Sequence, residues 1–182
     1  ATTGSDGTAS VTATANGTAG GPYTVSAAVD GVDTPANYSL TNTAGAPESI
    51  VATSGTPQST TVNSKFTDAL VATVKDSDGN PVPGVVVTFN APGSGASASL
   101  SSKTATTGSD GTASVSATAN GTAGGPYTVS AAVDGVDTPA NYSLTNTAGA
   151  PESIVASSGT PQSATVNTQF GSDLVATVKD SD

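Results

Sequence analysis

The sequence contains no cysteine, histidine, methionine or tryptophan, and because all four basic residues are lysines it has no arginine either. Each absence closes off a chemistry. Without histidine or cysteine there is no imidazole base, no thiolate nucleophile and no soft ligand set for zinc, copper or an iron–sulfur cluster. Without arginine there is no bidentate clamp for phosphate. Aromatic residues make up only 4% of the chain and charged residues 10%. Lys65, Lys75, Lys103 and Lys179 stand against 14 acids, for a net charge of −10. A surface of that sign repels nucleic acid and anionic lipid, so neither is expected as a partner. No apolar run approaches the roughly 18 residues of a membrane span, and no basic-then-apolar leader opens the sequence, so no membrane insertion is expected within these residues. The lack of cysteine fits an oxidising or a reducing compartment equally.

What is present is repetition. Ala1-Thr2-Thr3-Gly4-Ser5-Asp6-Gly7 returns as Ala105-Thr106-Thr107-Gly108-Ser109-Asp110-Gly111, a period of 104 residues. Over the overlap, 70 of 78 positions are identical, and five of the eight differences fall between Ser64 and Ala69. That stretch is expected to be exposed. Length alone, at about 150 residues per domain, predicts one domain; the repeat replaces it with a unit of 104 residues. The segment Thr41-Asn42-Thr43-Ala44-Gly45-Ala46-Pro47, repeated at Thr145–Pro151, is small, polar and closed by proline, as a linker should be. The expected organisation is the C-terminal part of one repeat (1–44), a complete repeat (45–148) and the N-terminal part of the next (149–182). The sequence is expected to be a window from a longer array.

Within the repeat, short stretches alternate with period two. Leu70, Ala72 and Val74 share one face, as do Val85, Val87 and Phe89, and Ala113, Val115 and Ala117. Tyr127, Val129, Ala131 and Val133 follow, and Tyr142 and Leu144 close the series. Such alternation predicts half-buried strands, and no segment carries an apolar stripe at helical spacing. Asp76-Ser77-Asp78-Gly79-Asn80, Gly108-Ser109-Asp110-Gly111 and Asp134-Gly135-Val136-Asp137 supply turn residues. Seven strands are expected, near Ser49–Ser54, Ala69–Lys75, Val85–Asn90, Ser97–Thr107 (with a break within it allowed), Thr112–Ala119, Tyr127–Val133 and Asn141–Thr147. The predicted class is all-β, as tandem antiparallel β-sandwiches of immunoglobulin-like type. The core is a light one of Ala and Val, with Phe66, Phe89, Tyr127 and Tyr142 as its bulky members.

The run from Leu70 through Asp76-Ser77-Asp78-Gly79-Asn80-Pro81-Val82-Pro83-Gly84 to Phe89 resembles the opening half of the bacterial immunoglobulin-like domains of invasin and intimin. Thr107-Gly108-Ser109-Asp110-Gly111-Thr112-Ala113, followed by Gly125-Pro126-Tyr127-Thr128-Val129-Ser130-Ala131, resembles the second half. The resemblance spans the whole 104-residue unit in the right order. It implies tandem domains in bacterial proteins that are secreted or exposed at the cell surface, usually adhesin stalks. It implies no catalytic residue.

An up-and-down tracing brings the turns bearing Asp76, Asp78, Asp110, Asp134 and Asp137 to one pole, beside Glu48 of the entering linker. Clustered carboxylates at a domain junction suit Ca²⁺, which takes six to eight oxygen ligands. The competing reading is that each aspartate satisfies its own turn. The spacing Asp76-x-Asp78-Gly79 favours that reading, being shorter than a calcium loop. Paired carboxylates also occur in glycoside hydrolysis, but no tryptophan is present to stack a sugar and no apolar wall adjoins an acid. No catalytic or cofactor-binding residue is assigned. Lys75 and Lys103 are taken as charges on strand edges. Asn16, Asn37, Asn120 and Asn141 open Asn-x-Ser/Thr sequons of little weight in a chain so rich in Ser and Thr.

Three functions compete. The first is a structural spacer or adhesin-type stalk, whose partners are neighbouring repeats of the same chain. The complete repeat holds seven acids and three lysines, and like charge would keep an array extended. The second is a subunit of an extracellular filament, in which other copies of the chain complete open strand edges. The third is a carbohydrate-binding accessory module, which the shortage of aromatic residues opposes.

Overall fold

A computed structural model describes residues 1–181, and every regular element in them is a strand. The first 44 residues contribute a hairpin, β1 (Gly20–Ala27) and β2 (Ala36–Asn42). Next come β3 (Ser49–Ser54), β4 (Gln58–Thr61), β5 (Leu70–Lys75) and β6 (Val86–Asn90). The short strands β7 (Ala98–Leu100), β8 (Thr104–Thr106), β9 (Thr112–Val115) and β10 (Ala117–Ala119) follow. Two long ones, β11 (Gly124–Val133) and β12 (Ala140–Thr147), complete the central sandwich. Beyond it β13 (Ser153–Ser158) pairs with β14 (Val175–Lys179).

One sheet of the sandwich has the order β4-β12-β11-β6-β8 and the other β3-β5-β9, with β7 and β10 forming a separate short ladder. The inward faces are those the alternation predicts: Leu70, Ala72, Val74, Val87, Phe89, Ala113, Val115, Ala117, Val129, Ala131, Tyr142 and Leu144 are all buried. The variable stretch behaves as expected too. Ser64, Lys65, Thr67, Asp68 and Ala69 are exposed, whereas the retained Phe66 among them is 1% exposed.

The structure departs from the expected strand map in four places. First, β4 was not foreseen. Its sequence, Gln-Ser-Thr-Thr, has no apolar alternation, and it joins the sheet by parallel pairing with β12, Leu144 facing Gln58. Second, the order is not up-and-down, because β6 crosses to pair with β11 rather than with β5. Third, the stretch 112–119 is broken, as is 97–107, where the sequence allows a break. At Ser116 the chain leaves β5 and continues alongside β7, the Ser116 N–H being held by Ser101 Oγ at 3.0 Å. Fourth, Lys75 closes β5, a central strand, while Lys103 does lie beside the edge strand β8.

The bulky centre of the core is Phe89 against Tyr142, ring centroids 6.3 Å apart and tilted by 39°. The Tyr142 hydroxyl is buried with no hydrogen-bond partner among the described residues. Burial pushes its pKa well above the ordinary 10.0. Tyr127 differs: its hydroxyl donates to Asn146 Oδ1 at 2.8 Å. An orphaned buried hydroxyl costs about 1–3 kcal/mol, while a satisfied one contributes about 1 kcal/mol. Removing the two hydroxyls should therefore act in opposite directions. Tyr142→Phe is expected to leave stability unchanged or raise it by about 1 kcal/mol, and Tyr127→Phe to lower it by about 1–2 kcal/mol. Urea unfolding of the two variants side by side checks this, and equal losses would contradict it.

Candidate functional site

Strands of alternating direction bring four segments to one end of the sandwich: the entering linker, the turn after β5, the turn before β9 and the β11–β12 turn. The turn after β5 is organised by Asp76, which is 5% exposed. Its Oδ1 accepts the N–H groups of Asp78 at 3.1 Å and Asn80 at 2.8 Å. Its Oδ2 accepts the linker N–H of Gly45 at 2.8 Å and the side-chain amide of Asn80 at 3.0 Å. All four partners are neutral N–H donors. They hold the carboxyl below its ordinary 3.8, the Asn80 amide contributing most and the Gly45 N–H next, against the opposing effect of burial.

Asn80 extends this arrangement across to the preceding segment. Its Oδ1 accepts the Ala19 N–H at 2.9 Å and its Nδ2 donates to the Gly17 carbonyl at 3.0 Å. At the second junction the linker contact recurs, with the Gly149 N–H bound to Asp180 Oδ2 at 2.7 Å. There Gly121, Thr122 and Ala123 line a cleft of about 360 Å³ together with Ala148, Val178, Lys179 and Asp180.

The remaining acids of the pole are separate. Asp110 Oδ1 accepts both the N–H and the hydroxyl of Thr112, at 3.0 and 2.8 Å, and these bonds lower its pKa. Its turn sits close over the pole: Gly111 has φ 71°, and a Cβ there would lie 2.8 Å from Pro81 Cβ and from the Val74 carbonyl. Asp78, Asp134 and Asp137 are exposed. Among the described residues no three acidic side chains converge in a group able to hold a metal ion.

The opposite end of the sandwich is closed by amides. Asn146, 2% exposed, donates to the carbonyls of Ser97 at 3.0 Å and Thr122 at 3.2 Å and to Asn120 Oδ1 at 2.9 Å. Asn120 Nδ2 reaches the Gly95 carbonyl at 2.8 Å. Burial pushes the Tyr127 phenol of this network up to about 12, partly offset by its bond to Asn146. Sequence reasoning passed over Asn80 as a turn residue and Asn120 as part of a sequon. A signal for Asn146 was available, since it continues the inward phase of Tyr142 and Leu144 on β12.

The family model described as bacterial Ig-like domain (group 1) matches residues 50–146, more than half of the chain. No curated protein matches the chain. Solved structures similar to it include the D00-D0 domain of intimin, at 23% identity and TM-score 0.39 over 60% of this chain and 54% of that one. FdeC, an Escherichia coli adhesin, is similar at 23% identity and TM-score 0.45, over 81% of this chain and 45% of that one. Domains 1–6 of the surface layer protein SbsC give 24% identity and TM-score 0.42, over 65% and 16% of the two chains. The chain thus spans about half the length of the first two structures.

Two expectations follow from the pole. Asp76 and Asp110 have folded-state pKa values below the ordinary 3.8. Their stabilisation is complete above about pH 4, where the unfolded carboxylates are also ionised, and is lost as the pH falls through the lower folded values. Urea midpoints should stay flat from about pH 7 to about pH 5 and drop below about pH 4. Asp76→Ala should lower the neutral midpoint and flatten the acid decline; an unchanged decline would contradict the assignment. Because the Asp76 oxygens accept four N–H bonds, melting curves with calcium and with EDTA are expected to coincide, and a calcium-dependent rise in Tm would show a cation site.

Proposed function

Because the chain belongs to the bacterial Ig-like domain (group 1) family, we propose that it is a non-catalytic spacer of a bacterial protein that is extracellular or displayed at the cell surface. In this reading it forms part of an adhesin-type stalk. The repeats are 45–148, flanked by parts of two others in 1–44 and 149–182. The observation that carries the reading is the repeated junction. At both linkers an aspartate carboxylate at the end of a strand receives the N–H of the linker glycine, Gly45 on Asp76 and Gly149 on Asp180. A connection capped in the same way at each step suits a device whose product is length, with each repeat touching only its neighbours. The acidic surface supports it, since like charges disfavour collapse of the array.

Assembly between copies is a second reading, in which strands of one copy would add to open strand edges of another.

Small-angle scattering of the 182-residue chain at several concentrations separates the outcomes. A compact globule of this length has a radius of gyration of about 16 Å. A spacer should exceed that value at every concentration, and a radius near it would overturn the reading. A radius that climbs with concentration would favour assembly.

A further inference from the structure

We propose that the Asn80 side chain is a docking element with which one repeat recognises the end loop of the repeat before it, and that this contact sets the angle between them. The inference deepens the spacer reading and rests on it for the tandem arrangement. A carboxamide carries the donor and acceptor of a peptide group. Asn80 presents both to the backbone on either side of Thr18, taking the Ala19 N–H at 2.9 Å and giving to the Gly17 carbonyl at 3.0 Å. The amide thereby acts as an added rung on the chain of the preceding segment, in the manner of strand addition by a single side chain.

The rung is held from below. The same Nδ2 also donates to Asp76 Oδ2 at 3.0 Å, and that oxygen takes the N–H of Gly45 at 2.8 Å. One carboxylate therefore fixes both connections between the segments, the covalent linker and the non-covalent contact. These bonds restrain an orientation that a lone linker would leave open, and domains lacking such contacts are expected to reorient freely.

The partner chemistry is specific. The recognised loop is Asn16-Gly17-Thr18-Ala19, in which a Cβ at Gly17 would lie 3.4 Å from Cγ and Oδ1 of Asp78. A methyl group there makes an ordinary contact with that carboxylate, and a branched side chain would crowd it. The same four residues recur as Asn120-Gly121-Thr122-Ala123, and the last three line the cleft at the second junction. The ligand class is thus an Asn-Gly-Thr-Ala end loop of another repeat. Aspartate in place of Asn80 would lose the donor and set a second charge against Asp76, so the amide is required by both faces of the contact.

The absence of cysteine makes the test direct. Thr24→Cys and Lys103→Cys, both exposed positions, take spin labels on the preceding segment and the central sandwich of the full chain. Double electron–electron resonance then reads the spread of distances between them. The parent is expected to give a narrow distribution. Asn80→Ala should broaden it about twofold, toward that of domains on a flexible tether. Gly17→Val, which lies outside the central core, should do the same with the melting of the sandwich unchanged. A narrow distribution that both variants leave narrow overturns the role of Asn80 while the spacer reading stands. A distribution already broad in the parent also overturns it. The spacer reading itself falls only with a compact scattering radius.

Discussion

A buried carboxylate must find donors, and the manner in which Asp76 finds them organises the central part of the chain. With four lysines and no arginine in 182 residues, cations are scarce, and every hydrogen bond to this carboxylate comes from a neutral N–H. Those donors lie on its own turn, on the following asparagine and on the incoming linker. Local turn, domain entrance and junction are consequently coupled through two oxygen atoms. Amide donors are well suited to the task because they come with the backbone and demand no second buried charge.

The near-identity of the repeat supplies an internal comparison of what local sequence determines. The Asp6 turn keeps the bonds of the Asp110 turn, with Thr8 N–H at 3.0 Å and its hydroxyl at 2.8 Å. The β1–β2 hairpin keeps the register of β11–β12, including the irregularity before Tyr23 and Tyr127. Gln162 spans its loop as Gln58 does. Residues 8–15, by contrast, form no strand, although 112–119 with nearly the same sequence form β9 and β10. Turns, hairpins and the β13–β14 pair therefore form with their own partners alone, whereas β9 and β10 form where their pairing strands β5 and β7 are present. This division explains what the sequence reading recovered. Alternation in β5, β6, β11 and β12 announces an inner face, and those faces are where it places them. In β4 four polar residues take their structure from a neighbour 87 positions away, as the Thr60–Thr147 bond shows, and no local pattern reports such pairing. The candidate site was legible only by halves: the pole that collects the aspartates was, but the amides that do the joining were taken for turn and sequon residues.

The light core makes the ends matter. Alanine buries little apolar area, so Ala72, Ala113, Ala117 and Ala131 stabilise the interior less than larger residues would. The ends are correspondingly well satisfied. One is closed by Asp76 and the Thr107 hydroxyl, which donates to the Val82 carbonyl at 2.7 Å and accepts the Val85 N–H at 2.8 Å. The other is closed by Asn146, Asn120 and Tyr127. Polar networks of this kind exclude alternative pairings because each leaves a buried group unmet.

The two ends also differ from one another, which determines how such units add. One end offers a carboxylate and the carboxamide it braces; the other offers the backbone of an Asn-Gly-Thr-Ala loop. A face of one type fits the other type and not itself, so contact between successive units is heterologous and runs in a single direction. A heterologous contact whose rotation does not close generates a line rather than a ring. In a covalent array the linker enforces the order, and the amide contact needs only to choose one orientation among those the linker permits. Copying the unit then copies both halves of the contact together. A repeat preserved at 70 of 78 positions keeps its own ends complementary however many copies are joined, and five of its eight differences gather between Ser64 and Ala69, on exposed positions that supply none of the side chains of the Asp76–Asn80 contact.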